Sequence, residues 1–239
     1  MTGALKLGPW TLNHVHNMDA LGGLEQLPAD CLDLVVTSPP CWDQVPRGKL
    51  GLTPDGYVRD LVRILVEALR CLKPSGTLWL SLADTHDARG NWLMIPYRIV
   101  LALGDLGYLF RGEVIWKKPP ARESPRVRLQ SGHGGIYIFA KSEQHVFQKK
   151  PPVGSVWELV QPPDDTSSGV TFPLDLPTRC IHAAAVPRGG IICDPFMGNG
   201  VTAAAALMSG RTYIGFESDR WLCACANDLP GNALGKRVG

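Results

Sequence analysis

The chain has 239 residues, 45% hydrophobic and 19% charged, which suits one soluble domain with its own core and excludes a disordered or fibrous chain. No apolar stretch approaches the roughly 18 residues that span a bilayer, and residues 1–6 lack the apolar region of a secretory leader. Net charge is only +2 but uneven: residues 111–150 hold nine basic and three acidic side chains, whereas 1–110 and 151–239 each carry two more acids than bases. A basic block in a near-neutral scaffold reads as a footprint for a phosphate backbone or as an ordinary solvated loop.

In chain order, a short strand is expected at 12–15, followed by Asn17-Met18-Asp19-Ala20. The β-branched, apolar run 32–37 reads as a buried strand that breaks at Ser38-Pro39-Pro40-Cys41-Trp42. Pro39 and Pro40 lack N–H groups and have fixed φ, so the Ser38 and Pro39 carbonyls point in set directions. A hydroxyl beside a carbonyl makes an acceptor pair for an exocyclic amine; the alternative is a plain strand end and turn.

Thr53-Pro54-Asp55 starts a helix, with apolar residues at Val58, Leu61, Val62, Leu65, Ala68, Leu69 and Leu72 on one face. Lys73-Pro74-Ser75-Gly76 ends it. A strand at 77–82, a helix at 92–103 and a strand at 108–116 follow. Residues 117–135 carry five Lys/Arg, two proline-rich spots and three terminal glycines, so a mobile loop is expected there. A strand at 136–141 precedes 149–169, which is rich in Pro, Asp and Ser and shows no periodicity. A helix at 174–184, a strand at 191–193, an alanine-rich helix at 202–209 and a strand at 212–216 complete the pattern, with a frayed tail from Pro230. Strands alternating with helices predict an α/β, doubly wound, mostly parallel sheet. The seven cysteines (31, 41, 71, 180, 193, 223 and 225) are scattered and odd in number, which fits a reducing cytoplasm; Cys223-x-Cys225 reads as helix packing, and no metal site is expected.

Residues 194–202, Asp-Pro-Phe-Met-Gly-Asn-Gly-Val-Thr, directly follow the strand 191–193. Gly198 and Gly200 allow a tight turn and close backbone approach to a ligand, and the next helix points its N-terminus at the same spot. Glu217, at the tip of the following strand, stands where a ribose would be held by its hydroxyls. There is no third glycine, and Asp194 would repel a pyrophosphate while suiting a cationic amino-acid group. The loop therefore points away from a nicotinamide dinucleotide and towards S-adenosylmethionine.

Asp-Pro-Phe-x-Gly-x-Gly together with Thr-Ser-Pro-Pro resembles the amino-methyltransferases of DNA. With the Ser-Pro-Pro loop first and the cofactor loop far downstream, the chain is similar to the permuted β-class. Val114-Ile115-Trp116-Lys117-Lys118-Pro119, the hairpin from Ile136 to Ser142, Ser155-Val156-Trp157-Glu158, Thr171-Phe172-Pro173 and Leu176-Pro177 carry the likeness across residues 10–225. The resemblance implies a circularly permuted, seven-stranded Rossmann-like sheet forming a single domain over 1–239. Residues 10–116 would be the catalytic half, 117–170 a basic loop, a hairpin and a small target-recognition region, and 171–228 the cofactor half.

It also implies a site-specific DNA methyltransferase of the cytosine-N4 type, cytoplasmic and belonging to a restriction–modification system. Its partners would be double-stranded DNA and a cognate restriction endonuclease, with no membrane, and it would act as a monomer or homodimer. The base would be flipped and methylated by direct transfer. Ser before Pro-Pro accompanies cytosine N4 in the family and Asp accompanies adenine N6, so Ser38 favours cytosine. The family's aromatic after Ser-Pro-Pro is replaced here by Cys41, with Trp42 next in line to stack on the base. The cofactor set would be Asp194, Pro195, Phe196, Gly198, Asn199, Gly200 and Thr202 near the methionine part and Glu217 at the ribose. Asp19 would lie near the adenine amine, and Thr171 and Phe172 on the opposite wall. Asp19 reads equally as a helix cap and Phe172 equally as core. Lys117, Lys118, Arg122, Arg126 and Arg128 are candidates for DNA contact. The other readings are adenine-N6 methylation, cytosine-C5 methylation with Cys41 as nucleophile, methylation of an amine in RNA or protein, and a non-catalytic nucleic-acid-binding protein.

Overall fold

A computed structural model describes residues 5–44, 50–51, 53–117, 132–148, 154–159 and 172–228. The chain opens with a two-stranded hairpin, β1 (Lys6–Leu7) and β2 (Trp10–Thr11), followed by β3 (His14–His16) and α1 (Ala20–Glu25). Next come β4 (Leu32–Thr37), α2 (Pro54–Cys71), β5 (Leu72–Leu82), α3 (Ile95–Asp105), β6 (Leu109–Lys117) and β7 (His133–Ala140). The last third contains β8 (Val156–Glu158), α4 (Asp175–Ala183), β9 (Ile191–Asp194), α5 (Val201–Met208), β10 (Thr212–Phe216) and α6 (Arg220–Asn227).

The main sheet runs β3-β10-β9-β4-β5-β7-β6-β8 among the described residues. Only β7 is antiparallel to its neighbours. Eight strands replace the expected seven, because Val156–Glu158 adds along β6 at the edge. Three residues in a segment without alternation give no strand signal of their own.

Side chains alternate across the sheet. Val35, Leu78, Leu80 and Ile214 bury one face against α1, α2 and α3, and Leu34, Val36, Trp79 and Tyr213 bury the other against α4, α5 and α6. Helices on both faces make the sheet doubly wound, as the alternation predicted. The helix beginning at Thr53 also matches: the Thr53 hydroxyl accepts from Gly56 N at 3.1 Å, and Pro54 opens the first turn. Helix α3 starts at Ile95, later than the 92–103 read from sequence. Its first amides are capped from outside, by the Asp84 carboxylate accepting from Met94 N and Ile95 N at 2.9 and 3.0 Å. Among the described residues no helix is long and apolar enough to cross a membrane.

From β9 the chain winds through α5 to β10 on one side, and from β4 through α2 to β5 on the other, and β4 and β9 are neighbours. Strand order reverses between them, and the crevice above such a reversal is where open α/β sheets bind ligands.

Candidate active site

Both sequence constellations end at this crevice. The β4–β9 ladder registers Leu34 with Ile192 and Val35 with Cys193. Beyond it β4 releases Ser38 and β9 releases the glycine loop. The two motifs, far apart in sequence, thus share the C-terminal end of two central parallel strands.

On the β4 side, Pro39 is buried, while Ser38, Pro40, Cys41 and Trp42 are half-buried. Tyr57, fully buried in α2, donates its hydroxyl to the Pro40 carbonyl at 2.8 Å. Its phenol pKa is raised, chiefly by burial and further by Cys41 and Asp43, so it stays a donor. A short 3-10 turn, Trp42–Gln44, follows, and Asp43 accepts from the Thr85 hydroxyl at 3.0 Å. This bond ties the loop to the segment after β5. The Trp42 ring packs against the core under α2. No cysteine is in a disulfide.

On the β9 side, Gly198 has φ +56° and Gly200 φ +93°, the left-handed region that favours glycine. A Cβ built on Gly198 meets no atom within 4 Å, so the backbone there faces open space. Glu217 spans the loop, accepting from Gly198 N at 2.9 Å and from Asp219 N at 2.8 Å. Phe196 packs on the core beneath, and Met197 fills the space over Gly215, where a Cβ would lie 2.4 Å from the Met197 methyl.

Asp194 differs from the expectation that its carboxylate faces a cationic ligand. It is 1% exposed and turned into the protein. Oδ1 accepts from the Thr37 hydroxyl at 2.6 Å and from Phe196 N at 3.0 Å, and Oδ2 accepts from the Thr202 hydroxyl at 2.7 Å. Burial pushes its pKa up to about 6, the nearby Glu217 adds to this, and the three hydrogen bonds oppose it. Asp194 holds the loop from below instead of lining its surface.

The remaining predicted residues divide. Asp19 caps α1, accepting from Gly22 N at 2.9 Å; it also lies next to Met18, whose N–H donates to the Glu217 carbonyl at 3.2 Å. Phe172 is half-buried against the core formed with α4. Lys117 is exposed and paired with Glu158 at 2.9 Å. Thr171, Lys118, Arg122, Arg126 and Arg128 lie outside the described residues. Sequence reasoning missed Thr37, Tyr57 and Asp84, whose partners are all distant in the chain or outside their own element. Only Thr37, adjoining Ser38, carried any local signal.

This is the architecture of the doubly wound methyltransferases. It matches the PvuII DNA methyltransferase (cytosine-N4-specific) with a TM-score of 0.78 at 18% identity, over 98% of this chain and 94% of that one. It matches a Thermus thermophilus protein assigned as a DNA modification methylase and solved with S-adenosyl-L-methionine, with a TM-score of 0.71 at 24% identity, over 90% and 92%. In sequence, the type II methyltransferase M.XycI of Xanthomonas campestris pv. cyanopsidis is 31% identical over a 259-residue alignment, covering 89% of this chain and 86% of its own. M.SmaI of Serratia marcescens is 27% identical, covering 88% of each. A family model described as DNA methylase, for N6 and N4 methyltransferases, matches residues 32–228. The chain belongs to that family, and S-adenosylmethionine is its methyl donor.

The glycine loop fits that cofactor. Besides the open space at Gly198, the Asn199 side-chain oxygen is buried with no hydrogen-bond partner. A buried acceptor without a partner is costly unless a ligand donor meets it, and the ammonium end of the cofactor would be such a donor.

Proposed function

We propose that this protein methylates the exocyclic N4 amine of cytosine in duplex DNA, as the modification enzyme of a type II restriction–modification system in a reducing cytoplasm. The observation that carries this is the placement of Ser38-Pro39 across the strand-order reversal from the Gly198–Gly200 loop. S-adenosylmethionine, when bound, would supply a sulfonium methyl: the nitrogen lone pair would form the new nitrogen–carbon bond, the carbon–sulfur electron pair would stay on sulfur, and one N–H proton would leave the methylated nitrogen to solvent.

The chain's own residues make the amine reactive. Its lone pair is delocalised into the ring, so the nitrogen is a poor nucleophile. The Ser38 hydroxyl oxygen and the Pro39 carbonyl accept its two N–H groups, draw the nitrogen towards tetrahedral and return the lone pair to it. Tyr57 occupies the Pro40 carbonyl and fixes the orientation of the loop that carries the other two acceptors. Positioning and electrostatics supply the rate, with no covalent enzyme intermediate. Membership of an amino-methylase family supports the amine over a ring carbon, so Cys41 is not assigned as a nucleophile. In this reading it contributes to the wall of the base pocket with Trp42. Glu217, Asp19 and the loop from Pro195 to Gly200 would hold the cofactor; Thr202, expected beside it, is buried and spends its hydroxyl on Asp194.

Incubating the protein with tritiated S-adenosylmethionine and duplex DNA, then separating nucleosides, tests the assignment. Label in N4-methylcytosine is expected. Label in N6-methyladenine overturns the choice of base, and label in 5-methylcytosine overturns the mechanism.

A further inference from the structure

We propose that Thr37 is a positioning residue that, through the buried carboxylate of Asp194, locks the amine-gripping loop to the cofactor loop. The inference rests on the assignment of those two loops given above. Thr37 is the last residue of β4 and adjoins Ser38; it is 0% exposed. Asp194 is the last residue of β9 and begins the glycine loop. The paired register between the strands reaches Val35 and Cys193, and past it the connection passes to side chains. The Thr37 hydroxyl donates to one carboxylate oxygen at 2.6 Å. The other oxygen receives the Thr202 hydroxyl, from the first turn of α5, at 2.7 Å. Phe196 N, inside the loop, donates to the first at 3.0 Å.

One carboxylate therefore gathers the end of β4, the start of the glycine loop, its middle and the helix that closes it. A buried charge is expensive and gives little stability that well-packed apolar residues could not give, so its value here lies in geometry. Methyl transfer needs the nitrogen and the methyl carbon near 3–3.5 Å and in line, and a misplacement of about 1 Å costs on the order of 100-fold. A chain of charge-assisted hydrogen bonds spanning both loops is suited to hold that tolerance.

Thr37→Val keeps the shape and removes the hydroxyl, whereas Thr37→Ser keeps the hydroxyl. Thr37→Val should lower kcat on the order of 10- to 100-fold. KM for DNA should stay within a few-fold, and kcat should fall further than the affinity for S-adenosylmethionine. Thr37→Ser should recover kcat to within a few-fold of the parent. Thr202→Val, cutting the other end, should reproduce the loss. Hydrogen exchange gives a readout independent of catalysis: the amides of 196–200 should lose protection in Thr37→Val and regain it in Thr37→Ser.

Unchanged kcat and unchanged exchange in Thr37→Val would overturn the brace. So would a Thr37→Ser variant as impaired as Thr37→Val. Should the parent protein methylate adenine, the choice of base fails while kcat on adenine still judges the brace. Should it methylate nothing, the enzymatic reading fails and the exchange data alone decide.

Discussion

Ser38 stands at the end of a buried strand, with Thr37 bonded on one side and the prolines rigid on the other. In the proposed mechanism its hydroxyl is an acceptor for the substrate amine. Ser38→Ala should lower kcat about 100-fold or more and leave S-adenosylmethionine binding intact, as calorimetry and single-turnover assays would show. A fully active variant would remove Ser38 from the mechanism. Asp194 makes a prediction about pH. Its carboxyl is raised from 3.8 to about 6 by burial, so between those values the folded protein keeps a proton that the unfolded chain has lost. Stability then falls as pH rises through the window, by about 3 kcal/mol across roughly two pH units. Asp194→Asn carries no such proton. The unfolding free energy of the parent minus that of the variant should therefore decline from pH 4 to pH 7 in urea titrations, and a difference that grows with pH would contradict the direction. Ser38 and Asp194 were both legible from residue type and neighbours. The inward direction of the Asp194 carboxylate was not, because it depends on hydroxyls 157 residues before and 8 residues after it.

The elements divide by whether their signals are local. The helix from Pro54 and the strand from Leu32 matched expectation because cap, proline and periodicity all lie within the segment. Helix α3 began late because its cap, Asp84, sits ten residues upstream of Met94. Strand β8 escaped notice because its partner β6 alone makes it a strand. Tyr57 shows the same dependence on distance, since periodicity marks it only as a buried face of α2. Removing its hydroxyl in Tyr57→Phe would leave the Pro40 carbonyl unsatisfied at a cost of about 1–3 kcal/mol. Thermal unfolding should register that loss. The accompanying fall in kcat should be about tenfold, with cofactor affinity unchanged, because the bond steadies the Pro-Pro loop and not the glycine loop. Equal losses in kcat and cofactor affinity would mean that Tyr57 supports the whole crevice.

At the scale of the molecule, charge and topology do separate work. The basic excess of 111–150 is a property of composition, and salt dependence separates a phosphate footprint from an ordinary solvated loop. DNA affinity measured by fluorescence anisotropy should fall linearly on a log–log plot against salt, with a slope near −0.9 for each phosphate contact. S-adenosylmethionine affinity should barely change over the same range, and a flat DNA response would separate the basic block from binding. The sequence by itself determined the chemistry on offer: a rigid acceptor loop, a glycine loop, an acid after the next strand and an alternating α/β pattern. These depend on residue type and short spacing, which survive without a fold. Only the tertiary structure decided that the two loops meet. Their meeting requires β4 and β9 to be neighbours where the strand order reverses, and it is secured by Thr37, Asp194 and Thr202 bonding across that junction. No local pattern encodes such contacts, because their energy exists only once strands distant in the chain lie side by side.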